Sequence, residues 1–199
     1  MLKKLKRDNE MINLLYIHGF NSSPGSMKVQ LSEQYLTKHY SKISFYCPQL
    51  FGSPNNAIAQ LENILSLKPN ENWLLIGSSL GGYFATYLSE KYQYPAVLIN
   101  PAVKPYELFN DYLGEQENPY TGEVFQVEKH FLNELKLFEN KKISKKNYLV
   151  MVQKGDEVLD YQQAVEKYQY CQLVVQEGGD HSFIDYETML PKIDVFFDL

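Results

Sequence analysis

Gly77-Ser78-Ser79-Leu80-Gly81 sets a serine inside a run of small residues, directly behind the apolar stretch Trp73-Leu74-Leu75-Ile76. A helix-compatible stretch, Gly82 to Lys91, follows at once. G-x-S-x-G between a buried strand and a helix has the form of a nucleophile elbow. The strand stops, the serine takes a strained backbone conformation, and the small residues keep strand and helix from colliding. Such a turn lifts Ser79 Oγ above a sheet and aims the first amides of the helix at whatever it attacks. The chemistry such a turn serves, where a base stands beside the serine, is nucleophilic acyl transfer.

A serine hydroxyl is a weak nucleophile and needs an adjacent base, itself oriented by a buried carboxylate. Around an elbow of this kind the chain order is serine, acid, histidine. Of the four histidines, His18, His39, His130 and His181, only His130 and His181 follow Ser79. His130 lies between Lys129 and Phe131 in an amphipathic stretch and reads as a surface or packing residue. His181 lies in the glycine-rich Glu177-Gly-Gly-Asp-His-Ser-Phe183, between the last strand and the last helix, and is the expected base. The expected acid is Asp156, in a turn after the strand around Val150 and just before a helix. An aspartate there also fits a helix N-cap. Asp160 is its main rival. Glu157 and Asp180 are weaker candidates, Asp180 being better suited to bracing the loop of His181.

The tetrahedral intermediate needs amides aimed at its negative charge. Leu80 N–H, following the nucleophile, is one expected oxyanion donor. The loop after the first strand, His18 to Gly25, supplies the second. Gly19 permits close approach and the amide of Phe20 is the expected donor, with Asn21 a weaker substitute. His18 precedes the serine and ends a strand, so a structural role within this loop is expected. Neither a G-x-x-x-x-G-K-[ST] phosphate loop nor a G-x-G-x-x-G dinucleotide fingerprint is present.

The elements that must position these residues are short apolar runs alternating with amphipathic ones. Strands are expected at Asn13–Ile17, Ile43–Tyr46, Trp73–Ile76, Ala96–Ile99, Tyr148–Val152 and Gln172–Val175. Most are apolar throughout, as for strands covered on both faces. Helices are expected at Ser26–His39, Asn55–Ser66, Gly82–Tyr92, Val158–Tyr168 and Tyr186–Phe197, with Ser26 as a cap and Pro54 at a helix start. This alternation implies a mostly parallel, doubly wound α/β sheet with right-handed crossovers. It breaks between residues 101 and 146, too long a segment for a simple crossover. In an α/β-hydrolase fold, material inserted here lies over the ends of the strands, so 101–146 is the candidate cap. An extra helix packed on the sheet is the plainer alternative.

The whole chain bounds the answer. Its 199 residues suit one domain, expected over 12–199, with 1–11 as an N-terminal extension and Met11 as an alternative start. Hydrophobic residues at 44%, charged residues at 22% and a net charge of −5 describe a globular chain without the signature of a nucleic-acid binder. The basic cluster Lys3-Lys4-Leu5-Lys6-Arg7 reads as a solvated tail. No apolar stretch matches a signal-peptide core of roughly 7–15 residues, or a membrane span of about 20. Cys47 and Cys171 offer no metal-ligand spacing and are expected as buried free thiols in a reducing compartment, hence a cytoplasmic protein.

Six runs occur in order: Leu14 to Pro24, Gly77 to Tyr83, Asn100 to Val103, Asp111 to Gly122, Gly155 to Tyr161 and Glu177 to Phe183. Together they resemble the YqiA-like family of small bacterial α/β-hydrolase esterases, from about Ile12 to the C-terminus. The resemblance implies an α/β-hydrolase fold and cofactor-free serine esterase activity on a small-molecule acyl ester, extending to thioesters such as acyl-CoA. Ser79, Asp156 and His181 match the family's triad motifs, and residues 100–122 lie beside the pocket as a family feature. The competing expectation is a binding or scaffold protein of the same fold with a vestigial triad.

Overall fold

The structure, a computed structural model, describes residues 11–199, and the expectations for the extension and its basic cluster lie outside the described residues. Six strands form one parallel sheet: β1 Ile12–Ile17, β2 Ile43–Tyr46, β3 Trp73–Ser78, β4 Ala96–Ile99, β7 Tyr148–Gln153 and β8 Gln172–Gln176. Their spatial order is β2-β1-β3-β4-β7-β8, each neighbour parallel. With its covering helices, this is the doubly wound parallel sheet the alternation implied, in the α/β-hydrolase arrangement the resemblance implied. The four central strands are apolar because both faces are covered. Leu15 and Ile17 of β1 face one layer of side chains and Leu14 and Tyr16 the other, as the two-residue period of a strand requires.

The first layer packs the sheet against α2 Pro54–Ser66, α3 Leu80–Tyr92, α5 His130–Leu137 and α6 Tyr161–Lys167. The second packs it against α1 Met27–His39 and α7 Leu190–Phe197. The edge strands are less buried than the central ones: β2 is half-buried throughout and β8 mixes half-buried and exposed residues, each lacking a neighbour on one side. Cys47 and Cys171, beside these edges, are free but only partly buried. Burial and the nearby Glu33 carboxylate push the Cys47 thiol up to about 12.

Local chemistry altered two of the expected helices and filled the segment 101–146. Residues 158–160 stay outside α6 because the Asp160 carboxylate accepts from Gln162 N–H at 2.9 Å and starts the helix there. The last helix is split into a 3₁₀ turn, Tyr186–Met189, and α7, which has Pro191 in its first turn. The segment 101–146 contains α4 Pro105–Leu108, a 3₁₀ turn Phe109–Tyr112, an antiparallel hairpin of β5 Gly114–Glu117 and β6 Val124–Val127, and then α5. The hairpin was not expected. Its tip is closed by the Asn118 side chain, whose Oδ1 accepts from Tyr120 N–H at 2.9 Å, while its Nδ2 donates to Ser22 O at 2.9 Å. That second bond ties the hairpin to the loop after β1.

Candidate active site

The strand order reverses direction between β1 and β3, since β2 lies on one side of β1 and β4 beyond β3. In open α/β sheets the crevice outside the strand ends at such a point receives ligands. Ser79 follows β3 there, and the loop from His18 follows β1.

Ser79 stands between β3 and α3 with φ 55° and ψ −122°, a region L-residues rarely occupy. Its backbone is clamped: its N–H donates to Ile99 O at 3.0 Å, and its carbonyl accepts from Gly82 N–H at 2.9 Å and Ala102 N–H at 3.0 Å. The glycines around it are demanded by contact. A Cβ on Gly77 would stand 2.4 Å from Gly81 O, and one on Gly81 only 2.0 Å from Ile17 O. The strained turn thus persists because its neighbours leave it no room to relax.

The three residues read from the sequence as a triad meet here. His181 Nε2 lies 3.1 Å from Ser79 Oγ, and its Nδ1 lies 3.0 and 2.9 Å from the two carboxylate oxygens of Asp156. Asp156 is nearly sealed, its side chain 2% exposed, whereas that of His181 is 25% exposed. Asp156 Oδ1 also accepts from Val158 N–H at 2.9 Å and Leu159 N–H at 2.8 Å, so the carboxylate caps a local turn while facing the imidazole. A carboxylate at Nδ1 holds the proton on that nitrogen and leaves the Nε2 lone pair facing the serine. Asp160 caps α6 instead, and Glu157 accepts from the His181 N–H at 3.0 Å. His130 is exposed between Glu128 and Glu134.

Leu80 and Phe20 flank the serine. Among the described residues neither backbone amide donates a hydrogen bond. Gly19 packs on Ser79 so closely that an added Cβ would lie 3.1 Å from Ser79 Cβ. The loop is held by His18, which is buried. His18 Nε2 accepts from Leu50 N–H at 3.1 Å, so Nδ1 carries the proton and donates to Gly19 O at 2.9 Å. Burial lowers the His18 pKa below its ordinary 6.5. Asn21 has φ 52° and a buried Oδ1 without a partner.

Two residues that bear on the site escaped the sequence reading. Buried Asn100 donates from Nδ2 to the carbonyls of Asp180 at 3.0 Å and His181 at 3.3 Å, and accepts Gln153 N–H at 2.9 Å. Gln153 Oε1 accepts from Asp180 N–H at 3.1 Å and Ile184 N–H at 2.9 Å. They fasten the histidine loop to the ends of β4 and β7. Asn100 sat in one of the motif runs, the only trace of this role. On the other side Lys28 Nζ donates to Ser182 O at 2.8 Å, its pKa lowered by burial.

Two hollows meet at the His18–Ser22 loop. One is a partly open cavity of about 70 Å³ lined by six phenylalanines, with Gly19, Leu50 and Leu80 and the polar Asn21, Asn118 and Glu123 also on its wall. The other is a polar groove of about 340 Å³ that includes Ser79, His181, Lys28 and Glu157. Of the aromatic residues in segment 101–146, Phe109 and Phe125 line the cavity and Tyr120 the groove. Tyr112 packs edge-on to the Phe20 ring at 5.3 Å between centroids. Among the described residues no cluster of three or more His, Cys, Asp or Glu could hold a metal ion, and no helix is long and apolar enough to cross a membrane.

Comparison with known proteins agrees with this architecture. The family described as "Uncharacterised protein family (UPF0227)" matches residues 13–198. The UPF0227 protein YcfP of Escherichia coli is 25% identical over 186 residues, covering 92% of this chain and 97% of its own. Mouse alpha/beta hydrolase domain-containing protein 10 superposes with a TM-score of 0.74 at 16% identity, covering 94% of this chain and 89% of that one. Est1E from Butyrivibrio proteoclasticus, solved with ferulic acid bound, gives 0.71 at 13% identity, covering 96% and 90%.

Proposed function

This chain belongs to the UPF0227 family, and from that footing we propose that it is a serine carboxylic-ester hydrolase acting through Ser79, His181 and Asp156. The observation that carries the reading is the unbroken hydrogen-bonded line from Asp156 through His181 to Ser79 Oγ, at 2.9 and 3.1 Å, on a backbone-strained serine. The esterases among proteins of like fold add to it. His181 Nε2 takes the Ser79 proton as Oγ bonds to the acyl carbon, and Asp156 stabilises the imidazolium. The carbonyl oxygen, now negative, takes the free amides of Leu80 and Phe20 as donors. The bond to the leaving oxygen or sulfur breaks, and the leaving group departs with the proton from Nε2. Water then gives a proton to Nε2, bonds to the acyl carbon, and the bond to Oγ breaks as Ser79 recovers its proton. The substrate class is a small acyl ester, extending to thioesters. Segment 101–146 serves as the cap, joined to the site through Phe20 and the Asn118–Ser22 bond. The two unpaired cysteines suit a reducing, cytoplasmic setting.

The test is intact-mass analysis after fluorophosphonate treatment, with ester turnover, on the wild type beside Ser79→Ala. One adduct and turnover are expected in the wild type, and neither in the variant. A well-folded wild type that takes no adduct would favour a binding protein with a vestigial triad.

A further inference from the structure

The two hollows differ in size, polarity and access to the imidazole, and together these fix how a substrate lies. The imidazole that accepts the serine proton must also deliver it to the leaving atom, which therefore lies within about 3 Å of Nε2. Ser79 and His181 both line the polar groove, and neither lines the cavity, which begins at Leu80 beside the serine. The leaving group is thus on the groove side. The groove offers about 340 Å³ and the side chains of Ser26, Lys28, Glu157 and Ser182.

The acyl group then has the cavity, which opens beside Gly19, Phe20 and Leu80, next to the amides assigned to the carbonyl oxygen. Its walls include Phe84, Phe109 and Phe131, which are buried, with Phe51 and Phe125 nearer the surface. A volume of about 70 Å³ is roughly half of the 150 Å³ in which a dry engineered cavity holds a benzene ring. That is room for about three or four carbons. Resting on the esterase reading, we propose that this site selects short, apolar acyl groups of up to about butyryl length, held by the phenylalanine cavity, and carries them on larger, polar alcohols or thiols lying in the groove.

The experiment compares kcat/KM of the full chain on 4-nitrophenyl acetate, butyrate, hexanoate and octanoate, with 1-naphthyl acetate testing bulk on the alcohol. Butyrate should exceed octanoate by at least about tenfold, since an unaccommodated methylene alone is worth a factor of this order. Enlarging the alcohol at fixed acetyl should cost less than enlarging the acyl group. Phe131→Ala opens the cavity wall and should raise the octanoate-to-butyrate ratio by about tenfold. Because Phe131 is a core residue, the half-buried Phe125→Ala is measured beside it, with circular dichroism and the phosphonate adduct reporting a folded, activated serine. Octanoate turned over as well as butyrate by the wild type would overturn the proposal. So would an unchanged ratio in folded, adduct-forming variants. Absence of both adduct and turnover in the wild type would instead remove the esterase reading, and this one with it.

Discussion

Asp156 divides its two oxygens between two tasks, and that division makes its removal specific. Oδ1 takes the amides of Val158 and Leu159 as well as the imidazole, while Oδ2 faces only His181 Nδ1. In Asp156→Asn the amide oxygen can keep the backbone pair, which turns the NH₂ toward Nδ1. Two donors cannot face each other, so the imidazole proton moves to Nε2 and the base is lost. A fall in kcat of about 10⁴-fold is expected with little loss of stability, as for the equivalent change in other triads. Steady-state kinetics with thermal unfolding checks both. His18 makes the opposite kind of contribution. Its Nε2 is an acceptor for Leu50 N–H, so the folded state holds the ring neutral and its pKa is lowered by burial. A lowered folded-state pKa means that the unfolded chain takes up the proton first as pH falls. The stabilisation is complete above about 6.5, the ordinary value, and is lost as pH drops from there through the lowered value. Tm should therefore decline as pH falls below about 6.5, and the decline should be shallower in His18→Asn. Equal slopes in the two proteins would argue against this role for His18.

At the scale of elements, the site depends on how closely β1, its loop and α3 approach one another, and two glycines separate stability from activity. A Cβ at Gly81 would stand 2.0 Å from Ile17 O and 2.6 Å from His18 O, so α3 must move off β1. Gly81→Ala is expected to lose about 3 kcal/mol or more in denaturant unfolding, the upper end for overpacking. At Gly19 the nearest atoms are Ser79 Cβ at 3.1 Å and Ser78 O at 3.3 Å, which a loop can yield by a few tenths of an ångström. Gly19→Ala should fold almost normally but lose about tenfold in kcat/KM, because the loop shifts by a fraction of an ångström against Ser79. If Gly19→Ala lost stability and kept activity, the loop would not be part of the site. The same contrast explains what could be read in advance. The elbow, the order of its partners and the parallel sheet are written in local chemistry: small residues at fixed spacing, apolar runs, and turns with glycine. The hairpin β5–β6 carries Glu115, Gln116 and Glu117 with weak alternation, and its anchoring needs Ser22, distant in sequence. Asn100 and Gln153 were opaque for a related reason. A buried amide is assigned by what surrounds it, and only the fold brings β4, β7 and the loop of His181 together.

For the molecule as a whole, the sheet and its two covering layers hold in place a conformation that Ser79 would not adopt alone. Native proteins are stable by about 5–15 kcal/mol, and a non-glycine residue at such angles costs about 1–3 kcal/mol of that. The strain is borne through the clamps on the Ser79 backbone: Ile99 O at the end of β4, and the amides of Gly82 and Ala102. All belong to elements packed in the first layer or the sheet. The cost should therefore appear in global stability, and substitutions at position 79 can expose it. Ser79→Ala abolishes the hydroxyl and keeps the Cβ, hence the strain. Ser79→Gly removes both, regaining about 1–3 kcal/mol against a glycine entropy penalty of about 0.5–1 kcal/mol. Both variants should be inactive, with Ser79→Gly more stable than Ser79→Ala by about 1 kcal/mol and an unchanged m-value, since the surface exposed on unfolding is the same. Equal stability would mean that the φ of 55° is accommodated without cost, and that the fold stores no strain at Ser79.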